Sequence, residues 1–289
     1  MLGKLFKHEF RNVGRVGGML IAISGVVTLL GVIYLISPLF RTIVHSTDDT
    51  NWMLGLVSAL MGLLGLVGYT GMLLGMGVGF MIYLAVRFYR SMYSDQGYLT
   101  QTLPVKASDL IIAKVVTAGT WMLIMTIAMT IFVSILAGIG FSVVMDVSIW
   151  DMLKTIKQSY QTINEYLNGL IGTALTRTGY TIIVNGIGGS FTTVAILFGA
   201  ISLGQYSWKN KGMMGVIAYL AVRVLMSVVN GIFNAAVMVV NQSRILEDPS
   251  YAMTMTSTQN LVKFAVSVVF AIVLFFWSIH IVKNRLNME

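Results

Sequence analysis

Residues able to do chemistry are few in this chain, and most lie far apart. Histidine occurs three times, at His8, His45 and His280, and cysteine never. No H-E-x-x-H or comparable spacing gathers metal ligands, so no metal site is expected. There is no G-x-S-x-G to expose a nucleophilic serine and no G-x-x-x-x-G-K-[ST] to cradle a nucleotide. The chain therefore reads as a non-enzyme, and if ATP drives it, another chain binds the ATP. One polar stripe stands out instead. Ser227, Asn230 and Asn234 follow Arg223 at +4, +7 and +11, and Tyr219 precedes it at −4, all on one helical face. In an apolar run such a face suits a subunit interface or a transport path, because a charge in the hydrocarbon needs a partner or water. The other reading shifts this helix outward and leaves Arg223 among the headgroups.

The elements that must carry this stripe are set by the composition. Of 289 residues, 56% are hydrophobic and 10% charged, where a soluble domain carries about a quarter charged residues. Mean hydropathy is +0.82. Charges leave six uninterrupted gaps, at 16–40, 50–86, 115–145, 178–208, 224–243 and 264–282. A bilayer core ~30 Å thick needs about 20 apolar residues per helix, so each gap can span it. Barrel strands would instead show short alternating segments. A soluble globular domain, a disordered chain and a disulfide scaffold are excluded. The expected fold is an all-α membrane protein: one transmembrane domain over 1–289 with helices near 17–37, 55–84, 115–144, 181–204, 213–240 and 261–282. The second and third exceed the required length, so tilt or extension beyond the bilayer is expected. Residues 1–16 do not resemble a cleaved signal, since the apolar run after Arg15 is too long and Ile36-Ser37-Pro38 is no cleavage site.

Charge orients the bundle. Lys4, Lys7, Arg11, Arg15, Arg87, Arg90, Lys106, Lys114, Lys209, Lys211, Lys283 and Arg285 fall on one side. Arg41, Lys154, Lys157, Arg177, Arg244 and Lys263 fall on the other, together with seven of the eleven acids. The positive-inside rule places the richer side, and both termini, in the cytoplasm. The formal net charge of +8 is then a topology signal, and no nucleic-acid partner is implied. Every Asp and Glu maps to a loop or terminus, which weakens an ion-coupled secondary carrier, since these commonly bury carboxylates. Backbone carbonyls can also hold sodium, so that alternative stays open, as does a non-transporting membrane assembly or immunity protein.

Between the spans, Leu2, Leu5, Phe6, Phe10 and Val13 recur at helical spacing, with Lys4, Lys7, Arg11 and Arg15 off that face. Residues 1–16 thus read as an N-terminal amphipathic interfacial helix on anionic lipid, or simply as a positive flank. Residues 87–114 form the largest cytoplasmic segment. It continues the second helix, turns near Gly97 and Pro104, and starts a short helix near Asp109 capped by Ser108. Residues 145–180 carry apolar residues every three or four positions and read as an external amphipathic segment. The polar link 241–260 reads as a loop. Gly71, Gly75 and Gly79 make two G-x-x-x-G steps on one face of the second helix, which favours close helix packing. Gly186, Gly188 and Gly189 mark either a break or a tight contact in the fourth.

The layout as a whole resembles the membrane subunits of ABC-2-type ATP-binding-cassette exporters in their short bacterial form. The resemblance rests on the basic N-terminal helix Lys4-Leu5-Phe6-Lys7-His8-Glu9-Phe10-Arg11, the six spans and the cytoplasmic termini. Its most specific piece is Tyr98-Leu99-Thr100, then Thr102-Leu103-Pro104-Val105 and, further on, Lys114. This is similar to the segment that such permeases offer to their ATPase. The resemblance implies a coupling role for Asp95, Tyr98, Leu99, Thr100, Leu103, Pro104, Val105 and Asp109. It also implies a cytoplasmic ABC ATPase partner carrying ATP and Mg, a second permease subunit (identical or related), contact with membrane lipids, and a bacterial plasma membrane location. It implies no single substrate, since members of the family export polysaccharides, drugs, peptides and lipids. The polar loop read at 241–260 departs from the family pattern, in which short re-entrant exit helices stand at that place.

Overall fold

The computed structural model describes residues 2–38, 40, 52–94, 107–148, 150–151, 154, 157–158, 172–207, 210–247 and 249–284. Among them there is no strand, and six long helices follow in chain order: α1 (Leu2–Ile36), α2 (Trp52–Tyr93), α3 (Ala107–Val144), α4 (Gly172–Gly204), α5 (Lys211–Glu247) and α6 (Pro249–Asn284). The shortest has 33 residues and the longest 42. At about 1.5 Å per residue, each exceeds the ~30 Å of a bilayer core. All six are apolar enough to cross a membrane, which makes this a multi-pass membrane protein.

Two sequence expectations change. Residues 241–260 are not a loop: α5 runs to Glu247 and α6 begins at Pro249. Their polarity marks departure from hydrocarbon, but Asn, Gln, Ser and Thr cost a helix only fractions of a kcal/mol each, so helix formation continues. Proline is tolerated at the first position of α6, where its missing N–H leaves no bond unmade. No separate short helix starts near Asp109, because α3 is continuous from Ala107, with Asp109 in its first turn. Residues 2–16 and the first span form one helix, α1, from Leu2 to Ile36. The glycine cluster in α4 does not break that helix. Gly188 makes a tight contact there, facing the Phe264 ring.

The chain divides into two compact units whose boundaries fall inside α1, α2 and α3. The first comprises Met1–Gly14, Ile82–Leu123 and Tyr166–Glu289. Here α4 packs most extensively on α6 and then on α5, around Ile196, Met226, Ala271 and Leu274. Gly199 makes the α4–α6 approach possible: a Cβ there would collide with the Leu274 side chain and lie 3.2 Å from its carbonyl oxygen. Gly204 meets the backbone of Gly215 in the same way at the α4–α5 corner. Phe88 of α2 stacks on Phe198 of α4 with ring centroids 4.0 Å apart.

The second unit comprises Arg15–Met81 and Ile124–Glu165. Its α1 segment carries a small buried polar seam. The Ser24 hydroxyl lies 2.7 Å from the Leu20 carbonyl oxygen and 2.9 Å from the Met76 sulfur, with one proton to give to either, while the Thr28 hydroxyl meets Tyr69 Oη at 2.8 Å. Back-bonding to the preceding turn supplies these hydroxyls with partners in an apolar setting. α3 ends with Asp146 in the left-handed region, at φ 50°. The Val147 amide donates to the Ser142 carbonyl, the six-to-one bond of a Schellman stop.

Of the segment 145–180, only positions 145–148, 150–151, 154, 157–158 and 172–180 are described. Trp150 is 74% exposed and Asp151 pairs with Lys154; the rest of that expected amphipathic segment lies outside the described residues. A branched side chain at Gly199 should separate α4 from α6. Gly199→Val is expected to cost about 1–3 kcal/mol through overpacking, read as a lowered unfolding midpoint in detergent; an unchanged midpoint would contradict the close approach.

Candidate functional site

The densest set of polar contacts in the described residues lies in the first unit, on the N-terminal part of α1, the last turns of α2 and the first turns of α3. Helical spacing builds it from three stripes. On α1, Phe6, Glu9, Phe10 and Val13 share a face. On α2, Tyr83, Arg87 and Ser91 recur every four residues, and on α3 Lys114, Thr117, Ala118 and Trp121 do the same at three or four. One acid thus sits on the apolar stripe of an otherwise basic helix, opposite one base from each neighbour.

Glu9 spends both its oxygens on these bases. Oε2 accepts from Arg87 Nη2 at 2.8 Å and Oε1 accepts from Lys114 Nζ at 2.7 Å. Lys114 also donates to Ser91 Oγ at 2.9 Å, and Arg87 Nη1 donates to Tyr83 Oη at 3.1 Å. Lys114 is 6% exposed, the Glu9 side chain 16% and Arg87 26%. Next to the ions, Trp121 Nε1 donates to the Phe10 carbonyl at 3.1 Å and its ring packs on that of Phe10. Gly14 leaves room for it, since a Cβ there would come within 2.6 Å of the indole. One turn beyond, Tyr93 donates to Ser202 Oγ at 2.7 Å, which ties the end of α2 to α4.

Such an arrangement fixes helices. Both carboxylate oxygens are engaged, and the adjoining cleft of about 20 Å³ is far smaller than an organic ligand. Its value lies in selectivity of pairing. A buried ion pair contributes little over apolar packing, yet removing one member strands the other charge. Among the described residues no group of three His, Cys, Asp or Glu could hold a metal.

Of the eight residues given a coupling role by resemblance, Asp95, Tyr98, Leu99, Thr100, Leu103, Pro104 and Val105 lie outside the described residues. Asp109 is described: half-buried in the first turn of α3, where an acid favours the helix dipole. Lys114, which the resemblance also touches, is a member of the cluster. The cluster therefore spans the two helix ends that bracket 95–106. Glu9 and Arg87 were not singled out from sequence, because their pairing joins positions 78 residues apart. The available signal was an acid on the apolar face of residues 2–16.

The polar stripe of α5 lies apart from this cluster. Arg223 is exposed between Leu220 (57%) and Val224 (62%). It contacts Tyr219 of its own helix: Nε donates to Tyr219 Oη at 2.9 Å, and the guanidinium carbon sits 5.3 Å from that ring's centroid, a cation–π distance. Ser227 is exposed, whereas Asn230 and Asn234 are half-buried, and Asn230 Oδ1 is buried with no hydrogen-bond partner. Gly71, Gly75 and Gly79 are exposed, with nothing within 4 Å of a Cβ built on them. Among the described residues, no helix of this chain covers that face.

Replacing Glu9 by Gln leaves Lys114 and Arg87 uncompensated. Glu9→Gln is expected to destabilise the protein by about 3 kcal/mol, and the double variant Glu9→Gln/Lys114→Met to recover part of that loss. Unfolding midpoints of the three proteins check this; a double variant no better than the sum of its parts would show that the ions do not interact. Comparison with family models, with curated proteins and with solved structures found no match to this chain.

Proposed function

We propose that this chain is the membrane-spanning permease subunit of an ATP-binding-cassette exporter, forming the translocation path and driven by a separate cytoplasmic ATPase. The observation that carries the reading is the Glu9 cluster. It gathers the start of α1 and the two helix ends bracketing 95–106, so that a push on that segment reaches three membrane helices together. Two features of the sequence support it. Twelve of the nineteen Lys and Arg fall on the side holding this cluster, which the positive-inside rule assigns to the cytoplasm. No Asp or Glu interrupts any of the six uncharged runs, so energy from a second chain is easier to supply than from an ion gradient.

In this reading the apolar residues of the first turns of α1 pack inward with Glu9, and Lys7, Arg11 and Arg15 face anionic headgroups. Asp95–Asp109 docks on the ATPase. The exposed faces of α2, at Gly71, Gly75 and Gly79, and of α5, at Arg223 and Ser227, meet a second permease subunit or line the path. The location is the bacterial plasma membrane, and ATP and Mg bind the partner.

Three measurements test this. Leu103→Asp should abolish co-purification of the ATPase in mild detergent; an unchanged amount of ATPase would count against docking through this segment. Arg223→Leu should impair transport with membrane insertion intact, and normal transport would remove Arg223 from the path. Because the chain contains no cysteine, single probes report orientation cleanly. Asn12→Cys should react with a membrane-impermeant thiol reagent only after permeabilisation, and Ser46→Cys in intact cells; the reverse pattern would invert the topology.

A further inference from the structure

The cleft beside Glu9 holds more positive charge and more donors than its own residues use. Arg87 and Lys114 share one carboxylate, and among the described residues lining the cleft there is no second acid. The remaining walls include Val13, Leu84, Phe88 and Phe198, an apolar setting in which an unbalanced charge is costly. Lys114 Nζ gives two of its three protons, to Glu9 and Ser91. Thr117 adds an independent sign. It is 1% exposed and lines the cleft, and its Oγ1 is buried with no hydrogen-bond partner. Other threonines in these helices bond the carbonyl four residues back, as Thr28, Thr120 and Thr130 do. Thr117 makes no such bond, although an unmade hydrogen bond in a buried site is expensive.

We infer that this cleft binds one monovalent anion, of the halide class, seated between the Lys114 ammonium, the Arg87 guanidinium and the Thr117 hydroxyl. Size and charge select it. A space of about 20 Å³ accommodates one water-sized particle, which leaves out phosphate, nucleotides and carboxylate substrates. A water would satisfy Thr117 but leave the excess positive charge; a halide satisfies both. Such an anion would complete the charge balance of the cluster, so that two cations and two anions hold α1, α2 and α3. The site stands on this geometry and is independent of the permease reading.

The test uses the full-length chain in an uncharged detergent at constant ionic strength, with sodium chloride replaced stepwise by sodium gluconate. The unfolding midpoint should rise with chloride and saturate, as binding to the folded state alone requires, and bromide should substitute. Thr117→Val should weaken the apparent chloride affinity about tenfold, the effect of losing one hydrogen bond to a charged group. Equal midpoints in chloride and gluconate would overturn the assignment and leave the cleft to water. A chloride response of undiminished affinity in Thr117→Val would overturn it as well. Chloride NMR on the wild-type protein decides the matter even if the variant fails to fold. Excess line broadening displaced by bromide supports the site, and none overturns it.

Discussion

Glu9 accepts hydrogen bonds from Arg87 and Lys114 at 2.8 and 2.7 Å, and the order of the first unit near the start of the chain follows from that shared carboxylate. In an apolar surrounding each base needs a counter-charge, and the described part of the chain offers them only this one. The register of α1 against α2 and α3 is set accordingly. A slip of one residue on α1 would rotate Glu9 by about 100°, leaving two cations unpaired and Trp121 without the Phe10 carbonyl. Apolar packing alone would tolerate such a slip more readily, because hydrophobic contact is non-directional.

Scarcity of charge gives each remaining charge weight. The six apolar runs hold no Asp, Glu, Lys or Arg; among the described residues Arg15, Arg223 and Lys263 are the charges set well inside a helix. Among the described residues Arg223 has no acidic partner; its own Tyr219 contacts it through a hydrogen bond and the ring face. The solution holds for one chain by itself and leaves Arg223 on an exposed face that membrane physics asks something else to cover. Gly71, Gly75 and Gly79 present the same demand on α2, in the form of a smooth surface against which another backbone can lie closely.

Much of the fold is legible in the sequence, because hydrocarbon imposes a length and a composition on each span. Each of the six uncharged runs falls on one of the six helices. Their ends are less legible, since the absence of charge reports immersion in lipid while helix formation continues past it. Residues 241–260 and the start of α1 both show this. The Glu9 cluster escapes a one-dimensional reading for a different reason. Lys114 and Arg87 look like ordinary flanking bases, and nothing local says that both point at residue 9. Only the position of Glu9 among Phe6, Phe10 and Val13 hints at it: an acid on an apolar stripe requires a partner from another element. The buried, unpartnered hydroxyl of Thr117 has no sequence signal at all, since mid-helix threonines usually back-bond.

In the proposed permease, the start of α1 and the start of α3 move as one body when the ATPase closes, because Glu9 binds them through Lys114. Spin labels at Arg11→Cys and Ile112→Cys report that separation directly in the complex reconstituted with its ATPase. One narrow distance distribution is expected, the same with and without ATP. A second distance, or a shift on ATP binding, would contradict it.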